Sequence, residues 1–292
     1  MRYADLSDTD CGIAQTMGVV GDWWAWLVLR EIAGGLTRFD RIQGSLGISR
    51  RALTERLGTL VDHQILVRRA YSEHPPRHDY VLTEKGEGLL SVLVAMQEFG
   101  DRYLLGDGSV SASPAGDSAE TRRVHELTGR PMPELSLATH DGTTVAVGGE
   151  TPGRWRVLFL FPGAFAPGDA PPAWGQVPGT AGCTLEATTY AARHADFAAL
   201  GADVIGISTQ RTDELAAFAD FSRLPYRLAS DGDALLAAHL RLPLFRTAGQ
   251  ERYKRQTLLV SPSGSVAHVQ MPITDPAGSV TDMLETIRHL GG

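Results

Sequence analysis

Residues 106–121, GDGSVSASPAGDSAET, divide the chain into two stretches whose apolar residues follow different periods. Small, polar and Gly/Pro-containing, this run has too little apolar surface to repay the entropy of ordering it, which predicts a flexible linker. Before it the apolar pattern is mainly helical with one short hairpin. After it, apolar strands alternate with Ala-rich helices, the mark of an α/β layer. The chain therefore reads as two domains of different fold: a mainly α domain over 1–105, a linker over 106–123 and an α/β domain over 124–292. With 292 residues, 43% of them hydrophobic, it can bury two ordinary cores.

The formal charge of −7 argues against general coating of nucleic acid or anionic membrane, but a local basic face would escape that average. The N-terminus, MRYADLSDTDCG, is acidic and lacks an apolar core, and no apolar run approaches the roughly 18 residues of a membrane span. A cytoplasmic protein without membrane partners is expected. Only two cysteines occur, Cys11 and Cys183, too few for a disulfide scaffold and without zinc-site spacing. His140, His194, His239, His268 and His289 show no paired spacing either, and Gly148-Gly149 reads as a turn rather than a phosphate cradle. No metal and no cofactor are expected.

In the first half, Trp23, Trp26, Leu27 and Arg30 follow Asp22 at helical spacing, with Trp24 and Val28 extending the apolar face, and core packing is the expected role. Phe39, Ile42 and Leu46 form a second short helix, Gly47 and Ile48 a tight turn, and Ser49 caps a third helix through Leu53, Leu57, Leu60 and Val61. Helix, turn and capped helix make a DNA-reading unit. The exposed positions of the third helix carry Arg50, Arg51, Thr54 and Arg56, side chains able to reach phosphates and base edges. A basic helix face is often only solvated. What favours DNA here is the following ILVRRAYSEHPPRHDYVLTEKG, two β-rich runs around a Pro-containing tip expected to bear Arg77 and His78: a wing.

Residues 8–104 resemble the HxlR family of winged helix-turn-helix regulators. The resemblance rests on the Cys-Gly-Ile-Ala opening, GDWWAWLVLREI, RFDRIQ, LGISRRALTERL and PPRHDYVLTEKG, continuous and in order. It implies a homodimer with paired recognition helices on a double-stranded operator, using the helix that ends near Tyr103 and the N-terminal arm. It also implies a redox- or electrophile-sensing role for Cys11, for which a structural cysteine packed at a dimer interface is the competing reading.

In the second half, GRPMPELSLATHDGTTVAV reads as an extended run and a hairpin, and Arg156–Phe161 as a central buried strand ending at Pro162. A Pro- and Gly-rich loop then leads to Pro178-Gly179-Thr180-Ala181-Gly182-Cys183, with Cys183 at the start of a helix through Tyr190, His194 and Phe197. Unpaired N–H groups and the positive helix end there are expected to favour thiolate, the reactive form. Thr180 is placed to turn its hydroxyl against the sulfur. A buried structural thiol is the competing reading for Cys183, and a surface charge on a strand that for Arg255.

Residues 128–290 resemble a peroxiredoxin, particularly the peroxiredoxin Q (bacterioferritin comigratory protein) branch of this thioredoxin-like fold, in Thr-x-x-Cys-Thr-x-Glu, ADVIGIST, LPYRLASD and KRQTLLVSPSGSV. The resemblance implies that Cys183 is the peroxidatic nucleophile, that Thr180 hydrogen-bonds it and the peroxide, and that Arg255 lowers its pKa and polarises the O–O bond. Gln176 replaces the family's proline, AFAPGDAPPAWGQV resembles an insertion with Pro162 or Pro178 left to shield the site, and the usual resolving cysteine is Thr188. The domain is then a one-cysteine type.

Together these point to a regulator that senses peroxide or a related oxidant through a redoxin domain, with an external thiol as reductant. The alternatives are a thiol peroxidase with an autoregulatory DNA-binding half, and a regulator whose redoxin fold binds a ligand or partner without turnover. A sulfenic acid on Cys183 would either pair with Cys11, within the roughly 20 to 24 Å reach of a flexible 16-residue linker, or cycle with a low-molecular-weight thiol.

Overall fold

The structure, a computed structural model, describes residues 10–73 and 76–291. The chain divides into two compact units, one ending at Leu93 and the other spanning Val94–Gly292.

The first unit contains α1 (Gly12–Val20), α2 (Trp23–Ala33), α3 (Phe39–Leu46), α4 (Arg50–Asp62), the hairpin β1 (Leu66–Glu73) and β2 (Pro76–Leu82), α5 (Glu84–Glu87) and the start of α6 (Leu90–Phe99). Local chemistry sets the boundaries. Asp22 accepts the Trp24 N–H at 2.9 Å to start α2, Gly47 stops α3 in the left-handed region at φ 62°, and Ser49 accepts the Ala52 N–H at 3.2 Å to start α4. Val28, Leu29, Ile32, Ile42, Leu53 and Leu57 pack into one core. Each such aliphatic side chain contributes roughly 1.5 to 3 kcal/mol through burial. Trp26 and Val28 are buried as expected, but Trp23 is 60% exposed. It is the first residue of α2, ahead of the buried positions, and its ring stacks on Trp24.

β1 and β2 pair antiparallel with a bulge between Ala70 and Ser72, which forms the wing. Arg77 and His78 are not on its tip: they lie in β2 opposite Ser72 and Ala70, because β1 continues past the bulge to Glu73. Residues 74 and 75 lie outside the described residues.

In the second unit α6 ends in a π-helical turn, Gly100–Leu104. There follow α7 (Ala119–His125), β3 (Ser136–Thr139), β4 (Thr144–Ala146), β5 (Trp155–Leu160), α8 (Cys183–Ala192), α9 (His194–Ala199), β6 (Ala202–Ser208), α10 (Thr212–Ser222) and β7 (Arg227–Ser230). The chain closes with α11 (Leu235–Leu240), β8 (Leu244–Thr247), β9 (Gln250–Tyr253), β10 (Gln256–Val260), β11 (Val266–Gln270) and α12 (Gly278–Gly291). The seven-stranded sheet has the order β11-β10-β5-β6-β7-β3-β4. β5, β6 and β7 run parallel, whereas β10 pairs antiparallel with β5. β5 is buried from Arg156 to Leu160, so its uninterrupted apolar run is that of a covered central strand. Val157 and Phe159 share a core with Cys183 and Tyr190 of α8, Phe218 of α10 and Met283 of α12.

The expectation of a flexible linker over 106–123 is corrected. Ala112 is completely buried, and α7 begins at Ala119, capped by Ser118 accepting the Thr121 N–H at 3.1 Å. Backbone hydrogen bonds order the segment, which composition cannot foresee because main-chain partners leave no mark on residue type. The helix expected to run from Cys183 to Phe197 also breaks at Arg193, which joins α8 to α9.

Candidate functional site

The loop after β5 starts from the buried Phe161 and Pro162 and is buried again at Thr180. Gly182, at φ 98°, turns the chain into α8, and a Cβ there would meet the Pro276 ring at 2.8 Å, so glycine suits this position on both counts. The turn makes Cys183 the first residue of α8, as expected, and leaves it 3% exposed.

Arg255 comes from the residue before β10 and is 1% exposed. Its Nη2 donates to the Cys183 sulfur at 3.1 Å, to the Gly179 carbonyl at 3.2 Å and to the Ala181 carbonyl at 3.3 Å. One guanidinium thus holds both the sulfur and the loop that presents it. Its Nη1 is ion-paired with Glu186, which is fully buried. Glu186 had no role assigned from sequence; the available signal was its spacing, three residues after Cys183 and so on the same helix face.

Thr180 lies beside the sulfur, but not as expected. Its hydroxyl donates to the carbonyls of Trp174 at 2.9 Å and Val177 at 2.8 Å, while its own carbonyl accepts from the Cys183 thiol at 3.2 Å. The hydroxyl therefore staples the loop. Of the two candidate shielding prolines, Pro162 is buried and Pro178 exposed. Thr188, at the resolving position, bonds its hydroxyl to the Thr184 carbonyl at 2.8 Å.

The electrostatics also depart from the expectation of a stabilised thiolate. Burial pushes the Cys183 pKa up, and this outweighs the opposing pull of Arg255 and of a hydrogen bond from the Gly163 main chain. Burial likewise raises Glu186, to about 7, against the pull of Arg255. The closed arrangement thus holds a thiol whose activating cation is already in contact.

On the first unit, the third helix is α4 as predicted. Ser49, Arg50, Arg51 and Thr54 are exposed, as is Arg77 of the wing, with His78 half-buried beside it. The guanidinium of Arg50 lies 5.0 Å from the Phe39 ring centre, and Arg51 pairs with Glu55 at 3.2 Å one turn along. Arg56 differs from its expected DNA-facing role: its Nε donates to Asp22 at 2.9 Å, tying α4 to the cap of α2. Cys11 is the residue before α1, half-buried, and makes no side-chain capping bond.

Comparison with known proteins agrees with both halves. An uncharacterised HTH-type transcriptional regulator of Mycobacterium tuberculosis (strain H37Rv) is 33% identical over 154 residues, which cover 52% of this chain and 92% of that protein. The profile of the HxlR-like helix-turn-helix family matches residues 19–107. The chain belongs to the HxlR-like helix-turn-helix family. The regulator YodB of Bacillus subtilis is 34% identical over 100 residues, 34% of this chain and 89% of that protein. What this HxlR-type chain adds is a peroxiredoxin-like domain of thioredoxin-like fold: the AhpC/TSA family profile matches residues 176–269, which include Cys183 and Arg255. The crystal structure of the peroxidoxin BcpB from Mycobacterium tuberculosis is similar to it at a TM-score of 0.47 and 26% identity, over 56% of this chain and 97% of that one. Among the described residues there is no metal-ligating cluster and no helix long and apolar enough to cross a membrane.

Proposed function

We propose that this chain is a redox-responsive DNA-binding transcriptional regulator of the cytoplasm, in which Cys183 is oxidised by peroxide or a related oxidant. The observation that carries the reading is the contact between Arg255 Nη2 and the Cys183 sulfur, a cation brought to 3.1 Å of a buried thiol at a helix start. Reaction begins when Cys183 loses its proton. The thiolate attacks the near oxygen of a hydroperoxide, the O–O bond breaks, and the alkoxide or hydroxide leaves with a proton as alcohol or water. Sulfur is oxidised to sulfenic acid and the peroxide is reduced by the same two electrons. Arg255 is placed to stabilise charge on the sulfur and on the departing oxygen, and Thr180 acts by holding the loop. An external thiol condenses with the sulfenic acid, releasing water and leaving a mixed disulfide, and a second equivalent of that thiol displaces Cys183 as thiol and departs as the oxidised disulfide. Slow signalling is favoured over rapid turnover because Cys183 is buried and its own unit contains no second cysteine.

DNA docking uses α4 and the wing, with Arg50, Arg51 and Arg77 on phosphates and base edges and Ser49, Thr54 and His78 beside them. A homodimer is supported by Met96, Phe99 and Tyr103, exposed apolar side chains at helical spacing along α6 and its π-helical extension. The test uses duplexes selected from a randomised pool by the reduced protein. Their affinity for reduced and peroxide-treated chain is compared while intact mass reports the cysteine state. A change of tenfold or more that is absent in Cys183→Ser is expected. Equal affinity with Cys183 fully oxidised would overturn the reading.

A further inference from the structure

The segment that composition marks as a linker passes through the thiol site. Its Ala112 N–H donates to the Pro178 carbonyl at 2.8 Å, and its Ala112 carbonyl accepts the Arg255 N–H at 2.9 Å. One buried residue thus bridges the loop that presents Cys183 and the residue whose side chain touches the sulfur. The neighbouring contacts are equally close. A Cβ on Gly179, which has φ 83°, would lie 2.8 Å from the Ser113 hydroxyl oxygen and 2.9 Å from its nitrogen. Ser111 donates to the Ser113 carbonyl at 2.7 Å, folding the segment on itself at this point. Both flanks are anchored in the same unit. On one side Arg102 donates to the Gly108 carbonyl at 2.8 Å, and Asp101 pairs with Arg123 at 2.6 Å. On the other, Thr121 donates to the Ala115 carbonyl at 2.8 Å, and Glu120 pairs at 2.6 Å with Lys254, the neighbour of Arg255.

We propose that the Ala112 main chain is a positioning element of the thiol site, and that the strap 109–115 is released when Cys183 is oxidised. The proposal rests on the reading that Cys183 is the residue oxidised. Its first part follows from connectivity: an Arg255 side chain that must meet Glu186, two carbonyls and a sulfur at once depends on where its backbone is held, and Ala112 holds it. Its second part follows from packing. Cys183 is 3% exposed and packed among buried core side chains, so an oxygen added to its sulfur crowds those neighbours, and movement of the loop relieves the crowding. The Pro178 carbonyl moves with the loop, and the Ala112 hydrogen bond is the connection to the strap that breaks. The signal leaves along the chain toward α6.

Two measurements on the full chain test this. In the first, Cys183 alkylation is followed against pH in Ala112→Pro, which lacks the N–H, and in Ala112→Gly, which keeps both main-chain groups. The proline variant is expected to shift the titration upward and slow alkylation near neutral pH at least fivefold without changing Cys11, and the glycine variant to restore the parent profile. Identical profiles in a folded proline variant would remove the positioning role. In the second, hydrogen exchange is read by mass spectrometry before and after stoichiometric peroxide. The Ala112 and Arg255 amides are expected to exchange at least tenfold faster once Cys183 carries one oxygen, with no change in Cys183→Ser. Unchanged protection in oxidised protein would overturn the release. Failure of peroxide to add mass to Cys183 would instead refute the underlying reading, and the alkylation measurement would still decide the positioning role.

Discussion

Arg255 stands between two acids that compete for it. Cys183 takes Nη2, Glu186 takes Nη1, and both are buried. Replacing Arg255 with Gln removes the largest influence opposing burial at the sulfur, and a tenfold fall in thiolate fraction accompanies each unit of upward shift. Alkylation of Cys183 near neutral pH is therefore expected to slow at least tenfold, with a matching loss in the rate of reaction with peroxide. The double variant Arg255→Gln, Glu186→Gln leaves no unpaired buried charge and is expected to show the same loss. A parental rate in either would mean the guanidinium does not activate the thiol. Glu186 also has a signature in stability. Its folded pKa, about 7, lies above its ordinary 4.5, so the folded state binds the proton more tightly than the unfolded chain. The resulting contribution is full below the ordinary value and is lost as pH rises through about 7, on the order of 3 kcal/mol in all. Urea midpoints between pH 4.5 and 7.5 are expected to show this decline in the parent and a smaller slope in Glu186→Gln.

At the scale of elements, α4 carries arginines with two different duties. Arg50 and Arg51 are exposed, and the double alanine variant is expected to bind its selected duplex at least tenfold more weakly, with the salt dependence reduced by about two phosphate contacts. Unchanged affinity and slope would remove α4 from the interface. Arg56, spent on Asp22 at the start of α2, is expected to behave otherwise. This half-exposed pair is worth about 0.2 to 1 kcal/mol, so Arg56→Ala lowers the denaturation midpoint slightly and leaves duplex affinity within twofold. The division of labour was not visible in the spacing, because Arg50, Arg51 and Arg56 all lie outside the apolar face and only the position of Asp22 tells them apart.

For the whole molecule, the exposed stripe on α6 and the fate of oxidised Cys183 both lead to measurable states. Met96→Asp with Phe99→Asp places charge in that stripe and is expected to convert a dimer to a monomer in sedimentation equilibrium; a dimer of unchanged affinity would exclude this face. The freely moving tether that would let Cys183 seek Cys11 is not what the structure shows, since Ala112 is buried in its middle. Nonreducing peptide mapping after stoichiometric peroxide is therefore expected to find sulfenic, sulfinic or mixed-thiol forms of Cys183 with Cys11 free. A linked peptide pair containing both cysteines would contradict this.

The division into a winged helix-turn-helix and an α/β domain was legible in residue order, because apolar periodicity, the Ser49 cap and the covered β5 run are written locally, and resemblance narrowed the second to a thioredoxin-like fold. So was the start of α8 at Cys183, and so was the candidacy of Arg255, which rested on resemblance. The direction of the thiol pKa was not, because it depends on how completely neighbouring elements exclude water from the sulfur. Nor was the place of Thr180's hydroxyl, turned to the Trp174 and Val177 carbonyls by the fold of a loop. Glu186 and Arg255 are 69 residues apart in sequence, and only the packing of α8 against the sheet makes them a pair. Residues 106–123 show the limit most clearly. Side-chain composition says that such a segment lacks the apolar surface to fold by itself, while its main chain finds partners at Pro178 and Arg255 that only the tertiary structure brings within hydrogen-bond distance.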